Sequence, residues 1–256
     1  MIHALNLFNI LAMKRVELST AERYPRKEGA RSSHHLVLSL IGVGEGRRVL
    51  DIGCARGHLL GDLAKQGWKG IGIDTNAADI STCIARGLVA VELDITTGLP
   101  ASLGSFDLVV LADVLEHLPD PPRVLRSIHS LLNPGARIVV SVPNVAHLSV
   151  RAQLLFGQFR YSTRGILDRT HLRFFTRRTV IELLTDSDFR VHQTTASAVP
   201  LELVWPALMK TRFGRALLAL NDRLPALWSG GFAYQHIVVA LPNNDSCRSA
   251  TASRIE

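Results

Sequence analysis

The sequence predicts an α/β fold: a doubly wound, mostly parallel sheet of seven strands with helices on both faces and a helical cap inserted near its end. Three observations carry that reading. Short, almost wholly apolar runs recur between residues 48 and 142, the pattern of strands buried on both faces. Stretches of about ten residues with helical apolar spacing separate them. Right-handed crossovers between parallel strands then distribute those helices over both faces. The 256 residues, 47% hydrophobic and 20% charged, suffice for one such domain with insertions.

The elements follow in order. Residues 1–30 are a loose lead-in containing the mixed-charge stretch Glu22 to Glu28. Met1 to Met13 has neither a cationic start nor a small-residue cleavage site, so no signal peptide is read there. Residues 31–43 are an amphipathic helix with Leu36, Val37, Leu40 and Ile41 on one side. Strands are expected at 48–52, 70–74, 88–93, 106–112 and 136–142, with helices at 59–66, 76–86 and 122–132. Asn76 is a candidate N-cap, and Asn133-Pro134-Gly135 is a candidate helix stop. After Pro143 come helices at 148–156 and 178–184, a polar loop at 157–170 and a strand at 189–196. A last strand, 232–241, closes a domain spanning 31–242, within which 200–230 is the inserted cap. Residues 243–256 are a polar tail, expected to be disordered.

Composition narrows the function. Lys plus Arg total 29 against 22 Asp plus Glu, a formal charge of +7. Lysine stands only at Lys14, Lys27, Lys65, Lys69 and Lys210; every other cationic side chain is arginine. The excess is spread along the chain and forms no basic block, so nucleic acid is not the favoured partner. Cys54, Cys83 and Cys247 show no CxxC spacing, which excludes a zinc ribbon, a disulfide framework and a thioredoxin motif. Reduced, cytoplasmic chemistry is expected. No run of 18 apolar residues occurs, so no membrane-spanning helix is expected.

The turn after the first strand reads Asp51-Ile52-Gly53-Cys54-Ala55-Arg56-Gly57-His58. Small residues at 53, 55 and 57 let a ligand approach the backbone. Asp51 just before the turn would repel a pyrophosphate and suits a ligand carrying positive charge. Asp74 ends the second strand, where a carboxylate can accept both hydroxyls of a ribose. Asp94 follows the third, where an adenine amino group needs an acceptor. Three acids on successive strand ends outline a nucleoside with a cation and no phosphates: S-adenosylmethionine. Each has a local alternative: a tight turn for the glycines, a helix-start acid for Asp74, a loop cap for Asp94. Cys54 reads as a backbone contact beside the ligand rather than a nucleophile.

With these residues the chain resembles a class I S-adenosylmethionine-dependent methyltransferase. The family's acid followed by glycines at +2, +4 and +6 is matched at Asp51, Gly53 and Gly57, with Ala55 where glycine is usual. The resemblance covers about residues 31–195, with 232–241 as an antiparallel last strand, and implies cofactor contacts at Asp51, Gly53, Cys54, Ala55, Gly57, Asp74, Thr75, Asp94, Ile95 and Ala112. It points to a bacterial small-molecule branch similar to ubiquinone-biosynthesis O-methyltransferases.

The acceptor should meet the methyl group beyond the fourth strand, at Asp113-Val114-Leu115-Glu116-His117. His117 is the natural general base, and His171 the preferred contact from the later loop. A methyl acceptor with a hydroxyl is expected, on a sugar, a quinone or phenol, or a secondary metabolite. An amine, or the 2′-hydroxyl of RNA, is the alternative within the enzyme class; a cofactor-binding scaffold without catalysis is the alternative outside it. Asp113, Glu116 and His117 have i, i+3, i+4 spacing and would share one face of a helical turn. With His171 they resemble the metal-binding cluster of small-RNA 2′-O-methyltransferases, so a divalent metal is the lesser reading. Asn144, His147 and Tyr161 are candidate acceptor contacts. Asn144 also reads as a helix cap, and Asp168 with Arg169 as a loop-fixing ion pair.

Residues 201–228 alternate apolar residues (Leu203, Trp205, Leu208, Phe213, Leu217, Leu220, Leu224, Trp228) with Lys210, Arg212, Arg215 and Arg223. A substrate lid, a homodimer surface, peripheral contact with an anionic membrane and a plain packed helix pair all fit that pattern.

Overall fold

The computed structural model describes residues 32–243; the lead-in, the tail and Cys247 lie outside them. The first helix, α1 (Ser33–Ile41), starts where the Ser32 hydroxyl accepts the backbone N–H of His35. There follow β1 (Arg48–Ile52), α2 (His58–Lys65), β2 (Lys69–Asp74), α3 (Ala77–Ala85) and β3 (Ala90–Glu92). Asn76 caps α3, its side chain accepting from Ala78 and Asp79. The second half contains β4 (Phe106–Ala112), a 3-10 turn Leu115–His117, α4 (Pro121–Ile128) and β5 (Leu132–Pro143). Beyond it lie α5 (Leu148–Leu155), α6 (Arg177–Asp186) and β6 (Phe189–Ser197). Segment 200–230 is helical: α7 (Leu201–Val204), α8 (Pro206–Met209), α9 (Arg212–Leu227) and α10 (Ser229–Phe232), which leads into β7 (Gln235–Pro242).

The seven-stranded sheet has the order β3-β2-β1-β4-β5-β7-β6. β1 pairs in parallel with β2 and with β4, and β4 with β5. β7 slots antiparallel between β5 and β6. The strands run parallel, but the order in which they are added reverses between β1 and β4, so the carboxyl ends of these two flank a switch-point crevice. One face is sealed by Val124, Leu125 and Ile128 of α4 and Val180 and Leu184 of α6. The other is sealed by Val37 and Ile41 of α1, Leu59 and Leu63 of α2, and Trp68. Each of these buried side chains contributes roughly 1.5–3 kcal/mol of transfer free energy.

Two boundaries depart from the sequence pattern. Asn133-Pro134-Gly135 is not the stop of α4; the helix ends at Ile128 and a 3-10 turn follows. Those residues open β5, where the Asn133 amide donates to Asp107 at 2.8 Å and the register against β4 shifts. The last strand begins at Gln235 rather than 232, because Ser229–Phe232 forms a helical turn.

Candidate active site

The β1–α2 turn is built on left-handed backbone. Gly53, Ala55 and Gly57 have φ of 72°, 46° and 70°. A Cβ on Gly53 would stand 2.6 Å from the Val114 side chain, and one on Gly57 would stand 2.8 Å from the Cys83 sulfur. Ala55 takes the left-handed conformation with its Cβ in place, at a cost of about 1–2 kcal/mol that a glycine avoids. The Asp74 carboxylate fastens the turn: Oδ2 accepts the Ala55 N–H and Oδ1 the Asn76 N–H, each at 2.9 Å. It thereby braces the loop and still offers lone pairs toward the crevice.

Asp51 is buried, and its Oδ2 has no hydrogen-bonding partner. Burial first, then the neighbouring Asp74 charge, pushes its carboxyl up to about 7, against a hydrogen bond from the Leu60 backbone. A buried, half-satisfied carboxylate beneath an open small-residue turn calls for a cationic ligand and repels a polyphosphate. That is the donor set a sulfonium nucleoside with an amino-acid tail fits.

The remaining expected cofactor positions divide. Asp94 is exposed and turned onto its own loop, accepting from Thr96 N at 2.8 Å and Thr96 Oγ1 at 2.7 Å, which holds its carboxyl below the usual range. Ile95 packs into the core, Thr75 is exposed, and Ala112 is half-buried at the end of β4. Cys54 is buried and its thiol, like that of Cys83, points at the Ala55 carbonyl. Burial pushes the Cys54 thiol up, away from nucleophilic chemistry.

Across the crevice, His117 and His171 meet edge to face with ring centroids 4.9 Å apart. The meeting depends on backbone: the Leu172 and Arg173 N–H groups donate to the Glu116 carbonyl at 2.8 and 3.0 Å, clamping the 167–175 loop to the 115–117 turn. His117 Nδ1 lies 3.2 Å from the Thr170 carbonyl, and His171 Nδ1 lies 3.1 Å from that of Ile166. A carbonyl only accepts, so both Nδ1 atoms carry the proton and both Nε2 atoms keep a lone pair. Partial burial, with a smaller contribution from His117, holds the His171 imidazole below its ordinary range.

Glu116, His117 and His171 each offer a donor atom, all within 4.8 Å of one another. Asp113 is not part of that group. It precedes the 3-10 turn with φ of 58°, which breaks the helical spacing read from the sequence. Its Oδ1 accepts from Ser141 Oγ at 3.0 Å and from Gln235 Nε2 at 2.5 Å.

Two expected acceptor contacts hydrogen-bond within the fold. Asn144 is buried; its amide donates to the carbonyls of Ala233 and Gly230, and its Oδ1 accepts from Ala146. It clasps the backbone on both sides. His147 caps α5 through Nδ1, which accepts from Ser149, and burial pushes its imidazole down to about 4. Tyr161 remains exposed beside Phe159, and Phe159 and Phe174 continue that ring cluster to His171. Asp168 folds onto Thr170 at 2.9 and 2.8 Å and does not pair with Arg169. Sequence reading missed Gln235, Phe159 and Phe174. An antiparallel strand inserted from 122 residues away leaves no spacing signal for Gln235, whereas the Phe174-Phe175 pair after His171 was visible.

A methyltransferase-domain family model matches residues 21–194. The ubiquinone biosynthesis O-methyltransferase of Marinobacter nauticus is 37% identical over 107 residues, 39% of this chain and 45% of that protein. The Pseudomonas aeruginosa protein of the same name is 38% identical over 105 residues. An uncharacterized 37.1 kDa transposon protein of Streptomyces fradiae is 31% identical over 183 residues, 68% of this chain and 52% of that one. The chain thus spans about half the length of the curated relatives it matches. Among solved structures, a methyltransferase from Geobacter sulfurreducens in complex with S-adenosyl-L-homocysteine superposes with a TM-score of 0.58 at 14% identity, covering 91% of this chain and 100% of that one. One from Archaeoglobus fulgidus superposes at 0.52 and 24% identity, covering 82% and 95%. Those likenesses show the fold, and the family match over two thirds of the sequence, together with the Asp51–Gly57 turn, shows that the chain belongs to the class I S-adenosylmethionine-dependent methyltransferases.

Proposed function

We propose that the protein transfers a methyl group from S-adenosylmethionine to a hydroxyl of a small aromatic acceptor of the phenol or quinol class. The observation that carries this reading is the His117–His171 pair, two imidazoles whose Nδ1 atoms are tied to backbone carbonyls so that both Nε2 atoms are free to accept a proton. A hydroxyl is a poor nucleophile until its proton is removed, whereas a neutral amine needs no such help. The aromatic cluster of Phe159, Tyr161 and Phe174 beside His171 favours a planar ring over a sugar. The named O-methyltransferase relatives support the same class.

The cofactor, when bound, supplies a methyl group already activated as an electrophile. The chain supplies place and proton management. Asp51 would neutralise cationic charge, Asp74 would accept from the ribose hydroxyls, and the small residues of the turn would let the cofactor approach the backbone. His117 Nε2, with His171 beside it, accepts the acceptor's proton. Holding nucleophile and electrophile in line is worth on the order of 7–11 kcal/mol.

The 4.8 Å grouping of Glu116, His117 and His171 favours one second reading, in which these side chains hold a divalent cation. Such an ion would lower the pKa of a chelated hydroxyl. Activity that survives exhaustive chelation removes it; loss restored by magnesium or manganese establishes it. For the main proposal, the protein is incubated with S-adenosylmethionine and a panel of catechols, simple phenols, sugars and amines. Mass gain of one CH₂ on a phenolic oxygen is expected. Methylation confined to amines, sugars or RNA overturns the acceptor class, and cofactor binding without turnover on any of them favours the scaffold.

A further inference from the structure

Helix α9 carries apolar residues on its protein-facing side and a second apolar stripe in solvent. Its buried positions are Gly214, Asn221 and Pro225, small or polar residues. Gly214 sits against the Leu208 backbone, where a Cβ has no room, and the Asn221 amide donates to the Val199 carbonyl at 2.9 Å. Leu217, Leu218 and Leu224 are half-buried beside them, while a second apolar set faces solvent: Phe213 is 71% exposed, Leu220 55% and Leu227 78%. These lie one above another at i, i+7 and i+14, a stripe about 21 Å long at the helical rise. Trp228, 46% exposed, extends it, and Arg151 of α5 stacks over the Trp228 ring at 5.3 Å. On α5 and just after it, Leu155 and Phe156 are also exposed.

The charge around this stripe is mostly positive. Arg212, Arg215 and Arg223 are exposed on α9, with Lys210 just before it, and Asp222 is the sole acid between Trp205 and Trp228. A second copy of the chain would set these cations against their own likeness. Water gains nothing from solvating Phe213 and Leu227, and a nucleic acid offers no hydrocarbon to take them. A bilayer with anionic headgroups answers both features: headgroups pair with the arginines while the apolar ridge enters the acyl boundary.

We infer that the α9 face docks the protein peripherally on an anionic membrane surface. Among the described residues no helix is long and apolar enough to cross a membrane, so the contact is with the surface. The inference stands on this face alone and independently of the acceptor class. It would place the crevice close to acceptors dissolved in, or tethered to, the bilayer.

The test is cosedimentation of the full-length chain with vesicles of phosphatidylcholine alone or mixed with phosphatidylglycerol. Binding to the anionic vesicles is expected, about ten-fold or more weaker on the neutral ones, and weakening as salt is raised. Leu220→Asp with Leu227→Asp should lower partitioning about ten-fold or more, while circular dichroism and S-adenosylmethionine titration stay unchanged. Leu220→Ser with Leu227→Ser serves if the aspartates disturb folding. No sedimentation with anionic vesicles, equal binding to both compositions, or a self-associated species broken by these same substitutions would each overturn the inference.

Discussion

The backbone N–H of Ala55 donates to the Asp74 carboxylate at 2.9 Å, so the acid that ends β2 holds the turn that follows β1. Asp51 and Asp74, on adjacent strand ends, are close enough that the Asp74 charge raises the Asp51 pKa. The site is poised for positive charge.

Asp51→Asn tests that poise. Removing the buried carboxylate should weaken S-adenosylmethionine binding about ten-fold or more, as expected for an ion pair in a dry site. The same change should raise the thermal midpoint of the ligand-free protein at pH 8, because a buried charge without a full partner is costly. For the wild type, a cationic ligand selects ionised Asp51. With its carboxyl near 7, binding should therefore weaken as pH falls from about 7 toward 5. Calorimetry across that range, showing affinity independent of pH, would contradict the assignment.

The left-handed turn gives a paired expectation. Ala55→Gly removes a strained Cβ and should stabilise the fold by up to about 1 kcal/mol, net of the added freedom of the unfolded chain. Gly57→Ala should destabilise by about 1–3 kcal/mol, since its Cβ would meet the Cys83 sulfur at 2.8 Å and Leu88 at 2.7 Å. Urea denaturation of the two variants measures both signs at once.

If the imidazole pair accepts the proton, His117→Ala should lower kcat about 10²–10⁴-fold with little change in cofactor affinity. His171→Ala should act in the same direction and shift the pH profile. Burial keeps His171 neutral to a lower pH than a free imidazole, so the acid limb of kcat should fall below pH 6.5. An unaltered profile in His171→Ala would leave that residue a purely structural part.

His236 sits on β7, buried, with Nε2 unpartnered, and burial together with nearby Arg177 pushes it down to about 4. A depressed imidazole contributes stability that is complete above pH 6.5 and is lost as pH falls toward 4, because the unfolded chain takes up the proton first. The loss is of order 3 kcal/mol. His147 adds to it through the same burial. His236→Leu should flatten the drop in thermal midpoint between pH 7 and pH 4.5.

The sequence by itself determined the sheet and the small-residue turn after β1. Both are local: the apolar runs of β1, β4 and β5 fit only a sheet covered on both faces, and Asp51 to Gly57 is one uninterrupted stretch whose single acid stands at the end of β1. What the spacing of Asp113, Glu116 and His117 predicted as one helical face, tertiary structure divided, because the left-handed Asp113 turns away to Ser141 and Gln235. Likewise Asn144 and His147, polar residues at the right strand end, were claimed by the backbone around them. The meeting of His117 with His171 was decided by the Leu172 and Arg173 amides closing on the Glu116 carbonyl. Which stripe of α9 is left in solvent was decided by where Gly214 and Asn221 pack. A pattern along the chain reports which faces can be buried; which polar group satisfies which is settled only when distant backbone arrives to compete for it.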